Sequence, residues 1–559
     1  MDSKIRVPGR DLSAKKVEII LFLILILLGV VRIINAVSIS AEYDELWSLY
    51  NYVKLTVPEI FRDVATPNNH VLNTLGMKLF TSGGKNLSML TMRLPSILSF
   101  LGLGTVLILA CVRYLKSIYM QFACVLAVLL SGLILHYGEV ARGYMMQTFF
   151  VTGLFFALVL LLKENISVRT RVWGSALWLL CSVLCCLSVS SGVIFVTIVT
   201  FVLKICSIFP LRETWRSFFE KEKYFLAGGV LFVLFVLLYY GSNYAAFAQG
   251  RAQFGEVFTS GRAFIKYGWD ILMQSHLFYG LLVTVPGCFF LKGLERKLAL
   301  TASFAVIFTL LSALVTKGGP VRVYTGLIPM TGFCAFVCLE AFLEKLPRRK
   351  KECMLGVALV LSCLSVFTAE ERRLHFADPD LGVAFDRISR EIPQNLVVIY
   401  RPTDAYVIAR IAGNSARIDF AKRLIAPDGI LLLHDPFVGG MRLPDFATRA
   451  LIPHEKAHRQ WEVGRGLSLY YYPLRKLHRG DDLKNRIVFC FVRGSVEELR
   501  TQENTLKKHF ISINGFLNPV RGMMPYYLFA ADGNALSAEE LISWENAREG
   551  MLDFRILGK

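Results

Sequence analysis

Apolar runs close to the ~20 residues that carry an α-helix across a bilayer recur along the first two thirds of this chain, and nothing else in it limits the fold as strongly. Inside lipid every backbone N–H and C=O must be paired within its own segment, so runs of this kind are helices. The pattern predicts eleven spans, at 17–37, 94–115, 120–137, 144–162, 172–188, 191–209, 223–240, 274–291, 298–316, 325–345 and 352–368. A weaker stretch at 70–82 reads as a short extra span or an interfacial helix. Composition agrees, with 54% hydrophobic residues, 19% charged residues and a mean hydropathy of +0.49. Soluble domains carry about a quarter charged residues.

The formal net charge of +19 would suit a nucleic-acid partner were it not for its placement. Lys4, Arg6, Arg10, Lys15 and Lys16 precede the first span. Further basic clusters stand at Arg113/Lys116, Lys163/Arg169/Arg171, Arg212/Arg216/Lys221/Lys223, Lys292/Arg296/Lys297 and Arg348 to Lys351. They alternate with less basic loops, as the positive-inside rule requires for a cytoplasmic N-terminus. The charge is a topology signal, and no nucleic-acid partner is expected. The expected location is the inner (cytoplasmic) membrane, in many passes, with 38–93, 138–143, 241–273, 317–324 and everything after 368 outside the cytoplasm.

The tail differs in kind from what precedes it. Short β-rich runs at Asn395–Arg401, Gly429–His434, Leu467–Tyr472 and Arg486–Val492 alternate with charged, helix-like stretches. This predicts two domains, a transmembrane domain over 1–368 and an extracytoplasmic soluble α/β domain over 369–559. Eleven of the twelve Cys lie in or beside the apolar spans, and only Cys490 lies in the tail, so no disulfide framework is expected there. Asp378-Pro379-Asp380 has the D-x-D form of a metal-holding motif, but stands outside the cytoplasm just after the last span and is read as a turn.

The outer loops carry the chemistry-bearing residues. Asp44-Glu45 puts two adjacent carboxylates where the first span emerges into water, and a carboxylate there can take a proton from an incoming hydroxyl. A solvated loop is the plainer reading of the pair taken alone. The same loop, 38–93, continues through Pro67-Asn68-Asn69-His70-Val71-Leu72 and ends at Arg93-Leu94-Pro95-Ser96. Asn69 and His70 also fit a helix cap after Pro67, and Arg93 fits an interfacial anchor. Two other outer positions set arginine beside tyrosine, Ala141-Arg142-Gly143-Tyr144 and Lys317-Gly318-Gly319-Pro320-Val321-Arg322-Val323-Tyr324. Arginine offers a planar fork of donors matched to phosphate, and a glycine-rich approach lets backbone N–H groups join it. These parts suit transfer from a lipid-linked phosphate: Asp44 deprotonates the incoming hydroxyl, while Arg322, with Arg142 or Lys317, stabilises the leaving lipid phosphate. No P-loop and no dinucleotide fingerprint is present.

In their order along 15–345, these motifs resemble the integral-membrane glycosyltransferases of the GT-C class, nearest to the protein O-mannosyltransferase-like group that includes the aminoarabinose transferases of lipid A. The resemblance implies inverting transfer of a sugar from a polyprenyl-phosphate monosaccharide to an envelope lipid, glycan or protein outside the cytoplasmic membrane. It makes Asp44 the base, Glu45 its neighbour in one motif, Arg322, Tyr324, Arg142 and Lys317 the donor-phosphate contacts, and Asn69, His70 and Arg93 residues of the substrate loop. Where many members carry His-Pro-Pro, this chain has Asn69-His70-Val71. Some members use a divalent metal and others do not, so the metal stays open. The rival reading is a non-enzymatic transporter or flippase of lipid-linked sugars, which would place ionisable groups near the midplane and often show repeated halves. A third is a scaffold subunit of an envelope assembly.

Overall fold

The computed structural model describes most of residues 12–357, with short gaps that include 39–44, 65–68, 84–87, 209–214, 249–257 and 317, and beyond that the backbone of six strands. The chain divides into two compact units, one made of Met1–Asn35, Thr56–Gly76 and Arg93–Glu370, the other of Ala36–Leu55, Met77–Met92 and Glu371–Lys559.

The helices run α1 (Leu12–Ser38), α2 (Val57–Arg62), α3 (Val71–Phe80), α4 (Met89–Tyr114), α5 (Ile118–Leu129), α6 (Gly132–Tyr137), α7 (Gly143–Leu161) and α8 (Val168–Ser188). There follow α9 (Gly192–Ile208), α10 (Trp215–Ser242), α11 (Gly261–Gln274), α12 (Leu277–Phe290), α13 (Gly293–Thr316), a 3-10 turn at Val321–Leu327 and α14 (Ile328–Leu343). Among the described residues, seven stretches are long and apolar enough to cross a membrane: α1, α4, α7, α8, α10, α13, and the 3-10 turn with α14. Their outer faces leave large side chains bare, among them Leu27 at 63%, Leu238 at 73% and Val315 at 79% exposure. Apolar surface on that scale belongs in lipid. This is a helical membrane protein.

Three of the expected spans look different at closer range. Residues 120–137 form not one helix but α5 and α6, broken at Leu130-Ser131. The run at 191–209 forms α9, of 17 residues, just under a full crossing. The run at 274–291 is only the second limb of a pair, α11 and α12, bent by 96°. The bend falls at His276, whose left-handed backbone (φ 61°) no helix interior accommodates. Thus 261–274, expected as loop, is helical, with Trp269 half exposed along it. The last run, 352–368, lies for the most part outside the described residues. At ten residues, α3 is too short to span.

The first unit's core runs through the bundle of α4, α7, α8, α9, α13 and α14. Phe155, Phe156 and Phe333 meet edge to face at its centre, and Tyr114 joins Phe333 at 5.9 Å. Glu340 of α14 accepts from the backbone N–H groups of Lys116 (2.9 Å) and Ser117 (2.6 Å), capping the start of α5. In the tail, β1 (Leu396–Tyr400), β2 (Ile430–Leu433), β5 (Ile487–Arg493) and β6 (Tyr526–Asp532) form a sheet in the order β2-β1-β5-β6. β1 is parallel to both β2 and β5, while β5 and β6 are antiparallel. β3 (Gln460–Glu462) and β4 (Ser468–Tyr470) make a separate hairpin.

Candidate functional site

Four of the sequence motifs meet around the short loop 138–142 that leads into α7. Asn73 of α3 donates to the Ala141 carbonyl at 3.1 Å. Ser96 of α4 donates to the Arg142 carbonyl at 3.3 Å. From α1, Arg32 reaches Glu139 at 2.8 Å, and Asn35 reaches the same carboxylate oxygen at 3.1 Å. The Arg32 and Glu139 side chains are each only 3% exposed, so this ion pair lies away from water. Pro95 packs on Gly76, where an added Cβ would come within 2.8 Å of the proline ring. The loop is thereby held from α1, α3 and α4 at once.

What the loop presents is Tyr144, the second residue of α7. Arg322 donates its Nε hydrogen to the Tyr144 hydroxyl at 3.0 Å. The guanidinium carbons of Arg142 and Arg322 stand 5.6 and 5.9 Å from the centre of the Tyr144 ring, within cation–π range. His70 meets that ring edge on at 5.0 Å, and Tyr137 packs against it at 4.9 Å. Arg142 and Tyr144 are almost wholly buried, as is His70 at 3% exposure. Burial, and then the nearby charges of Arg142 and Arg322, push the His70 imidazole well below its ordinary value, so the ring is neutral. The Ser188 carbonyl accepts a hydrogen bond from it.

Gly143 makes this packing possible. A side chain there would run into the Ser188 carbonyl oxygen and come within 2.8 Å of the His70 β-carbon. Gly318 has a similar task, since an added Cβ would meet the Phe258 and Tyr267 rings at 2.8 and 3.0 Å. Tyr267 of α11 donates to the Gly319 carbonyl (2.7 Å), which leaves its oxygen to accept from the Tyr324 hydroxyl at 2.7 Å. α11 thus fixes the glycine turn and the 3-10 turn that bears Arg322.

The expected site residues separate accordingly. His70, Arg142 and Arg322 come together on Tyr144, and Tyr324 buttresses the Arg322 turn. Asn69 is one residue away but serves the backbone: it donates to the carbonyls of Ile60 (2.8 Å) and Asp63 (2.6 Å) and accepts from Thr74 (3.1 Å). Arg93 is fully buried in α4, and Glu45 is fully buried in the second unit. Asp44 and Lys317 lie outside the described residues. Among the described residues no three His, Cys, Asp or Glu side chains gather as ligands for a metal. The residues that sequence reasoning passed over are Arg32, a charge inside an otherwise apolar run, and Tyr144, hidden in plain view beside Arg142. The first had a usable signal, because an ionisable group in a span needs a partner.

No protein-family model matches the chain, and no curated protein matches it in sequence. Solved structures similar to it include ArnT from Cupriavidus metallidurans in the apo state, at 13% identity and a TM-score of 0.47, with 92% of this chain and 98% of that chain covered. The same protein bound to undecaprenyl phosphate gives 14% identity, a TM-score of 0.47, and 92% and 97% coverage. The archaeal oligosaccharyltransferase AglB from Archaeoglobus fulgidus, in complex with an inhibitory peptide and a dolichol-phosphate, gives 11%, 0.44, and 72% and 64%.

Proposed function

We propose that the chain is a membrane glycosyltransferase of the GT-C class. It moves a sugar from a polyprenyl-phosphate monosaccharide to an envelope lipid, glycan or protein on the outer side of the cytoplasmic membrane, with inversion. The observation that carries this reading is the convergence of Arg142 and Arg322 on the hydroxyl-bearing ring of Tyr144. Arg142 is buried and Arg322 half-buried, and each offers the planar fork of donors that suits a phosphate. The Tyr144 oxygen accepts from Arg322, so its own proton points elsewhere and can serve a phosphate oxygen. Arg142 and Tyr144 stand at the start of α7, where backbone N–H groups and the helix dipole favour negative charge. In this scheme the lipid phosphate leaves from the sugar carbon as the incoming oxygen attacks. Asp44 takes the proton from that oxygen, and the arginines hold the charge gathering on the phosphate.

The decisive assay is release of undecaprenyl phosphate from glycosylated undecaprenyl phosphates by the detergent-solubilised chain supplied with an envelope extract. Turnover is expected, and Asp44→Asn should abolish it while leaving binding of undecaprenyl phosphate within about threefold. A flippase has no work to do in detergent, where there are no two compartments. Binding without any release of lipid phosphate would therefore replace the enzyme reading with the transport one.

A further inference from the structure

Beside the cationic cluster the fold buries two polar atoms of another character. His70 Nε2 has no hydrogen-bond partner among the described residues, although the ring is 3% exposed. The hydrogen bond to the Ser188 carbonyl belongs to the other ring nitrogen, so Nε2 carries a lone pair with nothing to accept from. One helical turn beyond Gly143, on which His70 packs, stands Gln147, fully buried. Its amide nitrogen donates to Ser191 at 3.2 Å, and its amide oxygen has no partner among the described residues. Residues four apart on a helix lie on one face, about 6 Å from each other. His70 packs on the start of α7 and Gln147 stands one turn further along that helix, so two buried polar atoms left unpaired on this side of the bundle ask for a ligand.

We infer that His70 Nε2 and the Gln147 amide oxygen form a hydroxyl-reading subsite, adjoining the Arg142–Arg322–Tyr144 cluster, that accepts hydrogen bonds from the sugar of the lipid-phosphate donor. The inference rests on the proposed function and adds to it. The cationic cluster turns donors toward a ligand, which suits a phosphate, whereas the atoms that His70 and Gln147 leave unpaired are acceptors, which suits the O–H groups of a sugar ring. A site with both can tell a glycosylated lipid phosphate from the bare one. The neutral state of His70 fits this role, because a protonated ring would present a donor where an acceptor is needed.

The test is competition against radiolabelled undecaprenyl phosphate on the full, detergent-solubilised chain. The competitors are unlabelled undecaprenyl phosphate and undecaprenyl-phosphate glucose, mannose and arabinose. In the unaltered chain at least one glycosylated lipid should compete roughly tenfold better than the bare lipid phosphate. His70→Phe and Gln147→Met, read separately so that one misfolded variant does not decide the outcome, should each erase most of that preference. Gln147→Met should keep the affinity for undecaprenyl phosphate itself within about threefold, whereas Arg322→Ala should lose both lipids together. Equal affinity of the unaltered chain for all four lipids, or a preference that survives both substitutions, overturns the subsite. A chain that binds the bare lipid phosphate but shows neither effect leaves the proposed function standing. One that binds none of the four removes both.

Discussion

Arg322 and Tyr144, 178 positions apart in sequence, are joined by a 3.0 Å hydrogen bond in which the guanidinium donates and the phenol accepts. That direction matters, because it leaves the phenolic proton facing away from the arginine. Tyr144→Phe keeps the ring, and so the contacts to Arg142 and His70, but removes that proton. It should weaken binding of undecaprenyl phosphate by about fivefold to tenfold, the value of one ordinary hydrogen bond. Arg322→Ala should cost more, about tenfold to a hundredfold, and Arg322→Lys should recover only part of it because a point charge cannot make the forked contact. Equilibrium binding of the radiolabelled lipid phosphate measures all three. An unchanged affinity in Arg322→Ala would take this residue out of the phosphate site.

The ion pair of Arg32 and Glu139 makes a sharper demand on stability. With each side chain 3% exposed, removing one partner strands a charge in the bundle, at a cost of about 3–5 kcal/mol. Glu139→Gln and Arg32→Met should each lower the thermal unfolding midpoint in detergent, and each should also weaken binding of undecaprenyl phosphate, since Glu139 anchors the loop that carries Arg142. Replacing both by methionine should recover most of the midpoint, because the desolvation cost disappears with the pair. A double variant no more stable than either single one would show that the pair does more than satisfy itself.

The spans and the site were not equally legible in the sequence. Long apolar runs with charged flanks leave few alternatives, so α1, α4, α7, α8, α10 and α13 follow the expected intervals. The break at Leu130-Ser131 was passed over although Gly132 stands beside it, whereas the bend at His276 has no proline or glycine within three residues to mark it. In the tail, four of the six strands coincide with β-rich runs. β3 is three residues long, too short for a period-two pattern to register, and β6 was passed over although its run, Tyr-Tyr-Leu-Phe-Ala-Ala-Asp, is apolar and aromatic. The cationic site was half visible: Arg142 and Arg322 were recognised by their tyrosine and glycine neighbours. Their meeting on Tyr144 is a long-range event that spacing along the chain does not encode. Asn69 shows the opposite case, a residue that looks like chemistry and spends every hydrogen bond on holding α2 to α3.

Gly143 offers a test of packing without any change of charge. A methyl group there must meet the Ser188 carbonyl, a backbone atom that cannot rotate away, and the base of His70. Gly143→Ala should cost about 1–3 kcal/mol, as overpacking does, and lower affinity for undecaprenyl phosphate as His70 and Tyr144 are pushed apart. Gly229→Ala in α10, with nothing within 4 Å of the added carbon, should be neutral or slightly stabilising. Thermal unfolding of the two variants side by side makes the comparison, and equal midpoints would rule out a tight contact at Gly143.

His70 predicts how the fold responds to acid. Burial together with Arg142 and Arg322 holds its folded-state value well below the 6.5 of a free imidazole. Above that pH both folded and unfolded chains carry a neutral ring, and His70 makes no difference. As pH falls through 6.5 the unfolded chain takes up a proton that the folded chain refuses, so stability is lost until the lower folded value is reached. The slope from this one group is at most about 1.4 kcal/mol per pH unit. His70→Phe removes the titrating group, so the difference in stability between variant and unaltered chain should shift in the variant's favour on acidification from pH 7 to pH 5. Chemical denaturation in detergent at a series of pH values measures the difference, and a gap that stays constant across that range would mean that His70 takes a proton in the folded chain as readily as in the unfolded one.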